Sequence, residues 1–243
     1  MLSHLVELRS RLLKVAAAVV LVFIGLLPFA RTIFEFVSEP LRAVLPGGQM
    51  IATAVASPLL APFKLTFYVA LFIAMPIVLY QTWAFVAPGL YKKEKRFAMP
   101  LLASSIVLFY LGIAFAYFVV FPLIFGFMTA IAPDGVEVMT DVTAYLDFIM
   151  MLVLAFGLAF EVPIAAVLIV WTGLTTVDQL AKARPYVFLG AFIVGMFLTP
   201  PDVISQTLLA VPVYMLYELG IIMARVFASR QDDKAEEAAA ADG

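Results

Sequence analysis

Long stretches of this chain carry no charged side chain. Residues 65–91 and 97–133 contain no Asp, Glu, Lys or Arg, and residues 148–177 contain only Glu161. A helix that crosses the roughly 30 Å hydrocarbon core of a bilayer needs about 20 apolar residues, and these runs pass that length. The chain is 65% hydrophobic and 13% charged over 243 residues, where a soluble domain carries about 45–50% and about 25%. A water-soluble fold of this size has too little interior for so much apolar surface, so the solvent is a bilayer. The runs lack the two-residue alternation of membrane strands, which leaves helices as the spanning form.

Read between charges, the sequence predicts six transmembrane helices over roughly 15–36, 65–88, 100–128, 147–171, 185–198 and 203–224. The fold class expected is an all-α integral membrane protein, with residues 1–224 as a single polytopic domain. The ending "QDDKAEEAAAADG" makes 225–243 a polar, acidic tail, whose composition predicts disorder. All but three of the fifteen Lys and Arg residues fall at the ends that place both termini on one side; Arg31, Arg42 and Lys64 are the exceptions. Basic residues mark the cytoplasmic face, so N-in/C-in topology is expected. The basic start and apolar first run resemble a signal peptide, but no A-x-A site follows, and a retained helix is expected.

The outer loops, "VSEPLRAVLPGGQMIATAVASPLLAPF" and "AIAPDGVEVMTDVTAY", contain Pro and Gly, which favour turns. Span five is short: about 14 residues at about 1.5 Å each fall well below the hydrocarbon thickness. The "TPPD" that follows forces a reversal, because Pro200 and Pro201 cannot continue a helix. Either this hairpin stops short of the outer face or the bilayer thins around it. No internal repeat or inverted half-to-half symmetry of the transporter kind is present.

Glu161 stands alone in "AFGLAFEVPIAAVLIVW". A charge in mid-span costs about 2.5–3.5 kcal/mol on insertion scales and normally faces a protein interior or a wet cavity. Two residues on, Pro163 removes the amide that would bond the Ala159 carbonyl and predicts a kink. Glu161 is either a structural carboxylate or a polar point on a surface that receives another polypeptide or moves a proton. On the cytoplasmic side, Glu94 is the one acid among the bases of "LYKKEKR", and Glu7 precedes Arg9 and Arg11 in "HLVELRSRLLK". Glu7 can pair with Arg11 at i,i+4; as an amphipathic helix the segment aligns Leu5, Leu8 and Leu12. Two carboxylates on one face also suit a guanidinium ligand, which they bind bidentately and distinguish from lysine.

Several chemistries are excluded or unsupported. There is no cysteine, hence no disulfide or thiolate site. The single histidine, His4, reads as an interfacial side chain. No HExxH, GxSxG or Walker-type loop is present, so no catalytic residue, metal or cofactor is expected. The net charge of −2 gives no pointer to nucleic acid.

The motifs "HLVELRSRLL", "WAFVAPGLYKKEKR", "FAYFVVFPLIFGF", "FGLAFEVPIA" and "KARPYVFLGAFIVGMFLTPPDVISQTLLAVPVYMLYELG" together resemble the TatC family, the multispanning signal-receptor subunit of the twin-arginine protein translocase. The resemblance covers nearly the whole chain apart from the acidic tail. It implies a cup-shaped bundle with short fifth and sixth helices in the bacterial cytoplasmic (inner) membrane. It further implies that the chain binds twin-arginine signal peptides, self-associates in a multimeric receptor complex, and works with TatA- and TatB-type single-span partners. Folded cargo would be exported on the proton-motive force, without nucleotide hydrolysis.

By that resemblance Glu94 is the main acidic contact for the arginines of the signal, with Glu7, Arg9 and Phe85 completing the recognition surface. Glu161 is similar to the intramembrane acid on the concave face. Met196, Thr199 and Gln206 resemble a docking site for a partner helix, and Pro40 and Asp202 match functional positions on the outer side. Each has a plainer reading. Asp202 is a possible N-cap, Phe85 an interfacial aromatic, Met196 packing filler, Pro40 a turn former, and Thr199 and Gln206 bundle hydrogen-bonders. The alternative function is a proton- or cation-coupled solute transporter using Glu161.

Overall fold

The computed structural model describes residues 2–44, 51–86, 95–131, 141–199 and 202–241. Among them the regular elements are all helical: α1 Leu2–Leu26, α2 Ala30–Val44, α3 Ser57–Val86, α4 Lys95–Phe115, α5 Phe121–Ile131, α6 Val142–Ala159, α7 Val162–Trp171, α8 Val177–Lys182, α9 Arg184–Leu198 and α10 Val203–Ala241. Among the described residues five segments are long and apolar enough to cross a membrane: Val6–Glu39, Ser57–Phe85, Met99–Met128, Val142–Trp171 and Val203–Ser229. Arg184–Leu198 is a shorter apolar helix. Its 15 residues reach about 22 Å at 1.5 Å each, as the short fifth span requires. The sixth is not short: α10 runs for 39 residues.

Three of the expected spans are not uniform α-helices. Pro28 cannot donate to the carbonyl of Ile24, and the chain tightens into a 3-10 turn over Leu27–Phe29 before α2 begins. Between α4 and α5 the turns widen to a π-helix over Ala116–Val120, closed by the Phe121 amide on the Ala116 carbonyl. Pro122 explains the widening, since it has no amide for the carbonyl of Phe118 and its ring crowds that oxygen. The fourth span breaks between α6 and α7 at Phe160–Glu161, where Pro163 places the expected kink.

Two other expectations are corrected. The segment expected to form the first outer loop is helical as far as Val44, so Pro40 lies within α2 and not in a turn. One face of that helix, with Phe34, Val37 and Ser38, is covered, while Arg31, Glu35 and Glu39 are exposed; an amphipathic pattern suffices to hold the helix. The tail also differs, since α10 continues as helix through Ala241. Its Ala and Glu residues are strong helix formers, and propensity outweighs the polarity that suggested disorder.

The chain divides into two compact units, residues 1–106 with 126–151 and residues 107–125 with 152–243. In the first unit α3 is the centre, and both α1 and α2 pack on it. Its covered face runs Ala61, Leu65, Phe72, Met75, Leu79 and Trp83, the three-and-four spacing of a single helix stripe. In the second unit α10 is the hub, with α7, α8 and α9 against it.

The start of α6 is fastened to the segment that precedes α3 and to α3 itself. One carboxylate oxygen of Asp141 accepts from the amides of Thr143 (2.9 Å) and Ala144 (3.0 Å), an N-cap arrangement. The other accepts from the hydroxyl and amide of Thr53, at 2.7 and 2.9 Å. The Val142 amide adds a bond to the Ile51 carbonyl at 2.9 Å, Thr143 donates to the Ser57 hydroxyl at 2.8 Å, and Lys64 pairs with Asp147. The Thr53 hydroxyl first, then the Thr53 amide and the α6 amides, hold the Asp141 carboxyl down to about 2, from an ordinary 3.8. A carboxyl whose pKa falls on folding stabilises the fold above its unfolded value and loses that contribution as pH drops through the folded one. Asp141→Asn is therefore expected to flatten the acid limb of a thermal-stability profile between about pH 4 and about pH 2. An unaltered limb would show that Asp141 contributes nothing there.

Candidate functional site

An amino-terminal polar cluster of Glu7, Arg11 and Gln81 is built on α1 and the last turns of α3. Glu7 and Arg11 sit one helical turn apart, and the guanidinium donates to Glu7 Oε1 from both Nε (3.1 Å) and Nη2 (2.6 Å). Its third nitrogen, Nη1, donates to the side-chain oxygen of Gln81 at 3.2 Å, which ties α1 to α3. The side chain of Glu7 keeps 40% of its surface exposed and that of Arg11 22%. Arg9 is exposed and Phe85 half-buried. Leu8 and Leu12 are exposed. Glu94 lies outside the described residues.

Glu161 occupies the break between α6 and α7. Its amide donates to Leu158 at 3.1 Å and its carbonyl accepts from Ala165 at 2.8 Å, so the backbone ladder is carried across the kink. The side chain is half-buried. Glycines permit close packing on either side of it. A methyl on Gly157 would meet the ring of Phe109 at 2.7 Å, and one on Gly220 would meet the Pro163 Cα at 3.0 Å. A groove of about 490 Å³ opens beside the preceding residue, lined by Phe115, Phe160, Pro212, Tyr214, Met215 and Glu218.

Around the α9–α10 reversal the plainer readings of Asp202, Thr199 and Gln206 hold as geometry, and that of Met196 does not. Asp202 caps α10, its carboxylate accepting from the Ser205 amide at 2.7 Å. Thr199 is buried and its hydroxyl bonds the Gly195 carbonyl at 3.0 Å. Gln206 donates across the hairpin to the Phe192 carbonyl at 2.7 Å. Met196 is exposed.

A polar network that sequence reasoning passed over lies in the same unit. Arg184, the first residue of α9, makes a two-pronged bond to Glu218 on α10, at 2.7 and 2.8 Å, and Tyr214 donates to the same carboxylate at 2.8 Å. Tyr217 adds a bond to the Leu180 carbonyl at 2.7 Å. Like Glu161, Glu218 is an acid inside an apolar run, and that signal was available. Glu218→Ala is expected to lower the thermal stability of the protein in detergent by about 1.5–3 kcal/mol, the range for hydrogen bonds to charged groups. A thermal shift assay checks it.

A family model described as "Sec-independent protein translocase protein (TatC)" matches residues 3–212. The chain belongs to the TatC family. Among its relatives, the Sec-independent protein translocase protein TatC of Azotobacter chroococcum is 58% identical over all of this chain and 94% of its own length. The namesake of Escherichia coli K12 is 55% identical, over 97% of this chain and 92% of its own. A crystal structure described as the twin-arginine translocase receptor TatC superposes with a TM-score of 0.83 at 37% identity, covering 93% of this chain and 99% of the other. A second, in the detergent DDM, gives 0.84 at 38%, over 91% and 99%. The chain is accordingly a multi-pass membrane protein and a core subunit of twin-arginine protein export, a transport component and not an enzyme. Membership in the TatC family does not favour the solute-transporter alternative.

Proposed function

We propose that this chain receives twin-arginine signal peptides at the cytoplasmic face of the bacterial inner membrane, where both of its termini lie. It then exports folded cargo with TatA- and TatB-type partners, drawing on the proton-motive force. The observation that carries the reading is the superposition of 93% of the chain on a solved structure described as the twin-arginine translocase receptor. The chain's own chemistry agrees, because Glu7 already accepts a guanidinium through two N–H donors, the contact that a signal arginine would make. Glu94, Arg9 and Phe85 complete the recognition surface. The apolar stretch of the signal enters beside Glu161. Met196, Thr199 and Gln206 receive a partner helix, and Pro40 and Asp202 act on the outer side.

Site-specific photocrosslinking from positions 94, 161 and 206 in membranes tests the assignment. Adding a twin-arginine substrate is expected to bring peptide crosslinks at 94 and 161 and to change the partner crosslinked at 206. Replacing both signal arginines by lysine removes the planar fork and is expected to abolish the crosslink at 94; equally strong capture of the lysine form would refute the reading.

The short α9 adds a prediction. Its length of about 22 Å leaves a deficit against a hydrocarbon core of about 30 Å, which is met by local thinning of the bilayer. Spin labels flanking Thr199 are expected to report water or shallow immersion. Full hydrocarbon immersion on both sides of the reversal would end the thinning account.

A further inference from the structure

The internal guanidinium on Glu7 does more than neutralise it. We propose that Arg11 is a built-in placeholder for a signal arginine: it fills the Glu7 carboxylate at rest and must be displaced onto Gln81 when a peptide arrives. The proposal rests on the reading of Glu7 as a signal contact and adds how that contact is regulated.

Three features support exchange over a fixed structural bond. The two bonds from Arg11 are those a foreign guanidinium would make, N–H donors of one planar group converging on a carboxylate oxygen at 2.6 and 3.1 Å. The carboxylate is the more exposed partner, 40% against 22%, so an incoming cation reaches Glu7 without first unpacking Arg11. A landing point exists as well, because Nη1 already rests on the Gln81 oxygen at 3.2 Å. Arg11 can release Glu7 and remain hydrogen-bonded to α3.

The consequence is a threshold. An arginine tethered one turn away competes at an effective concentration in the millimolar range, which isolated basic side chains of bystander proteins do not exceed. A ligand that brings a second cation for another acid on the same face displaces Arg11, because its first contact makes the second intramolecular. Selectivity for paired arginines then arises partly from what already occupies the site.

The test is a titration of a photoactivatable twin-arginine peptide against the full chain in membrane vesicles. Arg11→Gln is expected to tighten binding about two- to fivefold, the factor corresponding to loss of one exposed ion pair. Arg11→Lys, which keeps the charge but not the fork, is expected to fall between Arg11→Gln and the wild type. Lys14→Gln removes an equal charge one turn further on without touching Glu7, and is expected to change binding by less than the Arg11 variants do. In a Glu7→Gln background, Arg11→Gln is expected to have no further effect, since nothing remains to be vacated. Equal tightening by Lys14→Gln, or persistence of the Arg11 effect without Glu7, would reduce the result to bulk electrostatics and overturn the placeholder. Weaker or unchanged binding in Arg11→Gln or Arg11→Lys protein of wild-type thermal stability would overturn it as well; should Arg11→Gln fail to assemble, Arg11→Lys alone decides. A separate result, Glu7→Gln leaving peptide binding intact, would instead remove Glu7 from the recognition site.

Discussion

Glu94→Ala is expected to weaken capture of a twin-arginine peptide in membranes by about 10- to 100-fold, the range for removing one charge-assisted hydrogen-bonded partner. Glu7→Ala is expected to cost less, because the wild-type carboxylate must first shed Arg11 and the gain on binding is already reduced. The double replacement is expected to fall short of the product of the two single effects, since residues that share one ligand couple and are not additive. Titration of peptide crosslinking in the single and double variants measures this directly. Unchanged capture in the double variant would show that the arginines are held elsewhere.

The second large effect is structural. A Cβ built on Gly112 would lie 2.6 Å from the carbonyl oxygen of Phe156 and 3.0 Å from the Gly157 Cα. Both obstacles are backbone, which no rotamer change can relieve, so α4 and the end of α6 approach as closely as they do only because residue 112 has no side chain. Gly112→Ala is expected to destabilise the protein by about 1–3 kcal/mol and Gly112→Leu by more, as overpacked cores do. The expected readout is a lower unfolding temperature in detergent and, for leucine, loss of assembled protein from membranes. Gly25 and Gly126 have open space at the same position, and alanine at either is expected to leave stability nearly unchanged.

What could be read from the residues alone divides along a physical line. Spans were legible because a charge in hydrocarbon is costly, although Lys64 and Asp147, at which two spans were expected to begin, lie inside α3 and α6. The break near Glu161 was legible because Pro163 removes a donor whatever surrounds it. The Glu7–Arg11 pair was legible because i,i+4 spacing puts the two on one face. Interactions between distant segments were not. The fourth span was expected from about residue 147, and nothing local announces that Asp141 caps its helix and is held by Thr53. Arg184 was visible as a basic residue before span five, and only the fold brings Glu218 to it. The helical stretch from 37 to 44 was masked by Pro40, which looks like punctuation until the amphipathic pattern around it is weighed. The candidate recognition residues came from family likeness; the structure shows the Glu7–Arg11 pair and the Asp202 cap that the residues themselves offered, and adds the Arg11 bond to Gln81.

The widened turn between α4 and α5 has a consequence for phase. From Ser105 the buried positions recur at Phe109 and Ala116, and an undisturbed α-helix would next turn residues 119 and 123 inward. Instead Val119 is 42% and Leu123 50% exposed, while Val120, Phe121 and Ile124 are buried. The bulge acts as a one-residue insertion that rotates everything after it by about 100°. Replacing Pro122 so that the turn relaxes to a regular helix would swing Ile124 towards the lipid, whereas deleting one residue as well would leave it facing inward. The proline therefore sets the angular setting of the second half of this span, and a family comparison should find the bulge and the downstream pattern shifting together or not at all.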